Sequence, residues 1–191
     1  MLKKLKEYLK SEKKDKAVFD IIIYGSAVKG KEKARDVDIL VIFLDGSLRE
    51  RLDKLQKIKS DIKNLVNDLK DLTLDIKQIQ LKELFSSEFF ARTGIFLEGV
   101  SVFKDNRFSE LFGFRPFTLF WYSLKNLTHS QKVKFNYILS GRGAKGVIEE
   151  LGGDRFVNGA VKIPIEHSLI FEEILKANNV HYFKKNILEE I

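Results

Sequence analysis

Ile23-Tyr24-Gly25-Ser26-Ala27-Val28-Lys29-Gly30-Lys31-Glu32-Lys33-Ala34-Arg35-Asp36-Val37-Asp38-Ile39-Leu40-Val41-Ile42 is the stretch that decides how this chain reads. It begins in an apolar, β-branched and aromatic run, Val18 to Tyr24, which reads as a buried strand ending at Gly25. It ends in a second such run, Val37 to Leu44, closed by Asp45-Gly46. Asp36 and Asp38 stand two apart where that second strand starts. Side chains two apart on a strand share a face, so both carboxylates point one way while Val37, Ile39 and Val41 point the other. Aspartate is depleted in strands, and adjacent like charges repel, so the pair asks for a cation between them. Gly25 permits a tight turn and a close approach of phosphate to the backbone. The Ser26 hydroxyl and the neighbouring backbone N–H groups are suited to phosphate oxygens. Lys29, Lys31, Lys33 and Arg35 surround them with positive charge.

Downstream, Leu48, Leu52, Leu55, Ile58, Ile62, Leu65 and Leu69 step by three or four, which predicts a long amphipathic helix. Leu72 to Ile79 alternates, with Leu72, Leu74 and Ile76 on one face and Thr73, Asp75 and Lys77 on the other, and this reads as a third strand. A helical stretch is expected over 81–96, then a short strand at Val100 to Phe103. Upstream, Leu2, Leu5 and Leu9 predict an amphipathic helix over 2–12, which either packs on the domain C-terminal to it or serves a membrane surface or nucleic acid. Residues 17–104 thus run strand, loop, strand, helix, strand, helix, strand, an α/β (α+β) unit with a small mixed sheet flanked by helices. If the strand of Asp75 lies beside that of Asp36, three carboxylates meet. Asp75 then serves as a metal ligand or takes the proton of an attacking hydroxyl. Divalent ions such as Mg²⁺ prefer such oxygen donors, and two of them about 4 Å apart serve phosphoryl chemistry.

At this point the segment Ile23 to Ile42 resembles the signature of the DNA polymerase β-like nucleotidyltransferase superfamily. It is closest to the minimal nucleotidyltransferases of archaea and bacteria. The resemblance spans roughly residues 17–104. Gly30 is retained, Arg35 stands where the family often has serine, and Glu98 to Phe103 looks like the closing strand of such domains. It implies that Asp36, Asp38 and Asp75 are catalytic and hold Mg²⁺ (or Mn²⁺). It implies that Gly25 and Ser26, with Lys29 and Arg35 nearby, bind the phosphates of a nucleoside triphosphate, with ATP the expected donor. The acceptor is not written in the motif: a protein such as a HEPN-type toxin, an RNA end or a small molecule all fit.

We place a boundary between Lys104 and Arg115, giving an N-terminal helix (1–16), a nucleotidyltransferase domain (17–106) and a smaller α+β domain (110–191) whose role the sequence leaves open, acceptor or partner selection being the candidate. There, Phe117 to Leu127 suits strand or helix. Ser130 to Leu139 reads as helix, Glu166 to Asn178 as helix and Val180 to Leu188 as strand. Asn158-Gly159 sits where a hairpin turn belongs. Gly141-Arg142-Gly143-Ala144-Lys145-Gly146 reads either as a flexible connection or as a loop whose Arg142 and Lys145 contact phosphate or nucleic acid. It lacks Walker A order because no Ser or Thr follows the lysine. Phe112, Phe114, Phe117, Phe120, Trp121 and Tyr122 are expected mostly in the core, with base stacking as the other reading. His129, His167 and His181 show no metal spacing.

The composition agrees with a folded domain: 44% hydrophobic, 32% charged and two prolines in 191 residues. The absence of cysteine excludes disulfides and thiolate zinc sites. No run approaches the roughly 20 apolar residues of a membrane span, and no signal-type segment is present, so a cytoplasmic location without membrane association is expected. The net charge of +7 is concentrated in residues 1–16, where seven lysines face three acidic residues. That distribution argues against a chain that binds nucleic acid along its whole surface. The rival reading is a nucleic-acid- or partner-binding module on the same scaffold. The sequence leaves the oligomeric state open.

Overall fold

The computed structural model describes residues 2–25, 36–66 and 73–191. Ser26, Lys29 and Arg35, with the rest of the basic segment 26–35, and likewise Leu69 and Leu72, lie outside the described residues. The chain divides into two compact units, Met1–Phe112 and Gly113–Ile191.

In the first unit, helix α1 (Leu2–Ser11) is followed by strands β1 (Val18–Tyr24) and β2 (Asp36–Phe43), helix α2 (Leu48–Val66) and strand β3 (Thr73–Gln80). Two short helices, α3 (Leu81–Leu84) and α4 (Arg92–Glu98), and the two-residue strand β4 (Val100–Ser101) complete it, with a 3₁₀ turn at Phe108–Phe112. The sheet order is β3-β2-β1-β4. β2 and β3 are parallel, whereas β1 is antiparallel to both β2 and β4.

Alternation splits the central strands between two cores. Ile21, Ile23, Val37, Ile39 and Val41 face Leu5 and Leu9 of α1 and Leu55, Ile58 and Ile62 of α2. Ile22, Leu40 and Ile42 face Leu84, Ile95 and Phe108. A sheet covered on both sides explains why β1 and β2 read as continuous apolar runs rather than as clean alternation. The two buried leucines of α1 account for its amphipathic pattern as packing.

Two expectations need correction. Leu48 and Leu52 fit the helical period of α2 but are exposed, and between them Arg51 is buried, donating to Gln78 Oε1 (2.8 Å) and Glu83 Oε2 (3.4 Å). The stripe of α2 therefore begins at Leu55. The stretch 81–96 is not one helix. After α3 the chain leaves helical geometry, because local side chains take over the backbone groups. Ser86 Oγ accepts from the Glu88 N–H, and the Arg92 guanidinium donates to the carbonyls of Phe85 and Ser86.

The second unit comprises β5 (Phe114–Ser123), α5 (His129–Ser140), α6 (Val147–Glu150), β6 (Asp154–Val157), β7 (Ala160–Pro164), α7 (Ser168–Ala177) and β8 (His181–Glu190). Its sheet is antiparallel in the order β6-β7-β5-β8. One face packs on the helices: Phe120, Val161 and Ile163 meet Phe135 and Leu139 of α5 and Phe171 and Leu175 of α7. Asn158-Gly159 joins β6 to β7 with Val157 opposite Ala160, as a hairpin should. Only Gly159 takes a left-handed φ (+82°), so this is not the turn with both central residues left-handed that Asn-Gly favours. Phe156 enters as an extra residue on β6 beside it.

The aromatic cluster does not form one core. Phe112 stacks with Phe85, Phe96 and Phe108 in the first unit. Phe120 and Tyr122 pack on Phe171 and Phe135 in the second. Phe114 and Trp121 are exposed.

Candidate active site

The site stands at the end of the first sheet where β1 finishes and β2 and β3 begin. The parallel register sets Asp38 directly opposite Asp75, with Asp36 opposite Thr73 and Leu40 opposite Lys77. Adjacent strands lie about 4.8 Å apart, and matched residues of parallel strands point to the same side. Asp38 and Asp75 therefore leave one face of the sheet as neighbours, with Asp36 one step further out. That face is the one carrying Ile22, Leu40 and Ile42, so the carboxylates stand at the rim of a core rather than on an open surface. On the other side of Asp38, the antiparallel register places Tyr24 opposite it.

Gly25 shapes the rim. Its φ is +79°, which disfavours any residue with a Cβ. A Cβ added there would also collide with the Asp38 carboxylate. The glycine thus serves two ends at once: it turns the chain out of β1, and it leaves the space that Asp38 occupies.

The electrostatics follow from this packing. Burial pushes the Asp38 carboxyl above its usual range, the charges of Asp75 and Asp36 push it further, and Lys77 opposes them. Tyr24 is raised too, first by burial and then by Asp38. Lys77 Nζ lies 2.8 Å from Asp75, and this contact raises the lysine. Tyr24 and Lys77 are the neighbours that motif reading passes over. Both were signalled, Tyr24 by preceding the glycine and Lys77 by following Asp75 at the same-face interval.

Among the described residues no three acidic or histidine side chains stand close enough together to hold a metal ion as they are. The Asp75 carboxylate is turned to Lys77 instead. The donors nevertheless suit a hard divalent ion: they are all carboxylates, and the mutual repulsion that raises Asp38 is what a bound cation relieves.

Elsewhere, Arg142 lies over the Tyr137 ring with 5.1 Å to its centroid, and Lys145 pairs with Glu149 at 3.0 Å. Their loop is tightly folded rather than loose. A Cβ at Gly141 would strike the Ala144 carbonyl, and one at Gly146 the Leu139 carbonyl. The loop and the carboxylates belong to different units.

A mixed sheet with a glycine turn after one strand, an Asp-x-Asp opening the next and a third aspartate in register beside it defines a nucleotidyltransferase domain. The chain belongs to the polymerase β nucleotidyltransferase family, which it matches over residues 3–107, just over half its length. The match takes in α1 from its second residue and the whole of the first sheet. A comparison with curated proteins finds no match. Among the described residues no helix is long and apolar enough to cross a membrane.

Proposed function

We propose that the chain is a metal-dependent nucleotidyltransferase that moves a nucleoside monophosphate from a nucleoside triphosphate, with ATP the expected donor, to a hydroxyl acceptor. The observation that carries this reading is the matched pair Asp38 and Asp75 on parallel strands, beside a glycine whose missing side chain leaves room for the Asp38 carboxylate.

In this reading Asp36 and Asp38 hold Mg²⁺ or Mn²⁺, and Asp75 completes the set when it leaves Lys77. When bound, the ion supplies charge neutralisation at the phosphates and lowers the pKa of a hydroxyl near it. Gly25 and Ser26 receive the triphosphate at the turn, with Lys29 and Arg35 adding positive charge. The acceptor oxygen attacks the α-phosphorus and forms a new P–O bond. The bond from that phosphorus to the bridging oxygen of the β-phosphate breaks, and pyrophosphate leaves with the electron pair. Asp75 takes the proton of the acceptor hydroxyl. The second unit selects the acceptor, whether a protein such as a HEPN-type toxin, an RNA end or a small molecule.

The test is transfer of label from each α-³²P nucleoside triphosphate, with Mg²⁺ or Mn²⁺, to a total RNA pool, to proteins expressed with the chain and to small hydroxyl compounds. Label that moves with wild type and not with Asp38→Ala supports the reading. If no nucleotide binds in the presence of either ion, the reading is wrong. The rival, a binding module on the same scaffold, draws on a separate surface of the second unit.

A further inference from the structure

We propose that the face of the second sheet turned away from its helices is a binding platform for single-stranded nucleic acid, built on Phe156, Trp121 and Phe183.

The placement follows from register. Val161 and Ile163 of β7 point into the core, so Ala160 and Lys162 point to the opposite face. Trp121 of β5 lies opposite Ala160 on one side and Phe183 of β8 on the other. On β6, Arg155 pairs with Val161 and reaches Ser140 of α5, which sets it on the helix side. Phe156 is the extra residue between Arg155 and Val157, and Val157 pairs with Ala160, so Phe156 joins the outer face. The row across the sheet is therefore Phe156, Ala160, Trp121, Phe183, one residue from each strand.

Three features distinguish this row from leftover surface. Its rings are open to solvent: Phe183 is 80% exposed, Phe156 64% and Trp121 41%. Among the described residues none of the three stacks on another ring, whereas Phe120 and Tyr122, on the core side of the same β5, both do. Between Phe156 and Trp121 only the methyl group of Ala160 intervenes. At about 4.8 Å per strand the two rings are thus rooted roughly 10 Å apart, a span that admits a planar base.

The charge around the row fits the same ligand. On β8 the same-face neighbours of Phe183 are His181 and Lys185, and Lys185 is exposed with no carboxylate partner among the described residues. Lys162 lies between the two acids of this face, Glu189 at 2.7 Å and Asp154 at 3.7 Å, and with Arg115 and Lys185 the face carries three bases against two acids. A rigid sheet presenting separate aromatic faces with a basic side chain beside them suits stacked bases and a phosphate backbone. A protein partner would draw instead on a contiguous aliphatic patch, and here the aliphatic residue between the rings is a buried alanine.

Trp121 is the only tryptophan of the chain, so its emission reports on the row itself. The full chain is titrated with a single-stranded homopyrimidine oligonucleotide of about 12 nucleotides, at about 50 mM salt. Saturable quenching is expected, with none from the corresponding duplex. Phe183→Ala and Phe156→Ala are each expected to weaken binding about 10-fold. Both side chains are exposed, so the core is untouched, and circular dichroism checks this. Lys185→Ala should reduce the slope of log affinity against log salt by about 0.7. Asp38→Ala should leave the titration unchanged, which separates this surface from the nucleotidyl-transfer site. Absence of quenching, equal binding of duplex, or affinity indifferent to both phenylalanine variants overturns the proposal. So does an emission shift that depends on protein concentration alone, which would mark the row as a self-association surface.

Discussion

The carboxylate of Asp38 occupies the volume in which a side chain at residue 25 would begin. Gly25 and Asp38 are thus coupled through space as well as through the turn, and the coupling is measurable. Gly25→Ala meets two penalties: the left-handed φ of +79°, which costs a non-glycine residue about 1–2 kcal/mol, and the clash with the carboxylate. Asp38→Ala removes the second and leaves the first. In a double-mutant cycle, Gly25→Ala should therefore destabilise the wild type more than it destabilises the Asp38→Ala background. Equal costs in the two backgrounds would mean that the turn relaxes away from Asp38.

Asp38 should govern the response to metal. Burial and the charges of Asp75 and Asp36 all disfavour its ionised form. Asp38→Asn removes that repulsion, so the metal-free variant should unfold at or slightly above the wild-type temperature. Mg²⁺ at tenfold over its dissociation constant should raise the wild-type midpoint by a few degrees, corresponding to about 1.4 kcal/mol. The variant should show little or no rise. A variant that melts early without metal would recast Asp38 as a structural residue.

In the proposed reaction Lys77 competes with a cation for Asp75. Its ammonium lies 2.8 Å from that carboxylate, and both side chains are well exposed, so the pair is worth no more than about 1 kcal/mol. Lys77→Met should accordingly tighten divalent-ion binding by up to about 5-fold, read by calorimetric titration without nucleotide. Weaker binding instead would show that Lys77 supports the metal-bound arrangement rather than opposing it.

The candidate site was legible where its residues lie close in sequence and obey the strand period. Asp36 and Asp38 are two apart, Gly25 ends an apolar run, and Asp75 stands on the polar face of the alternating strand β3. What the sequence does not carry is pairing. That Asp38 meets Asp75, rather than a residue one or two positions away, depends on the parallel register between strands separated by α2. Local competition hid other features. The break after α3 depends on Ser86 and Arg92 taking backbone groups, and Arg51 replaces an apolar residue in the stripe of α2 because Gln78 and Glu83 receive its guanidinium. The aromatic run of β5 was ambiguous for the same kind of reason. Successive rings of one strand point to opposite faces, so Phe120 and Tyr122 go inward and Trp121 outward. Composition alone cannot assign which is which.

The second unit should carry an acid-sensitive clasp at Glu172. This residue of α7 accepts from Tyr182 Oη at 2.6 Å, pairs with Lys176 at 2.9 Å and binds Lys184, so it ties α7 to β8. Burial alone would raise its carboxyl. The bonds from Lys184, Tyr182 and Lys176 outweigh that and hold it at about 2, against an ordinary value of 4.5. Because the folded value is the lower one, the clasp stabilises the fold fully above pH 4.5 and loses its contribution as pH falls towards 2. Both lysines are partly solvated, and Gln can still accept from Tyr182, so Glu172→Gln should cost only roughly 1–2 kcal/mol near neutrality. Urea unfolding followed through Trp121, which lies in the same sheet as β8, reports on this unit. The gap between wild type and variant should be constant from pH 7 to about pH 5 and close as the carboxylate of the wild type takes up its proton. A gap that persists unchanged at pH 2 would mean that Glu172 acts through packing and not through its charge.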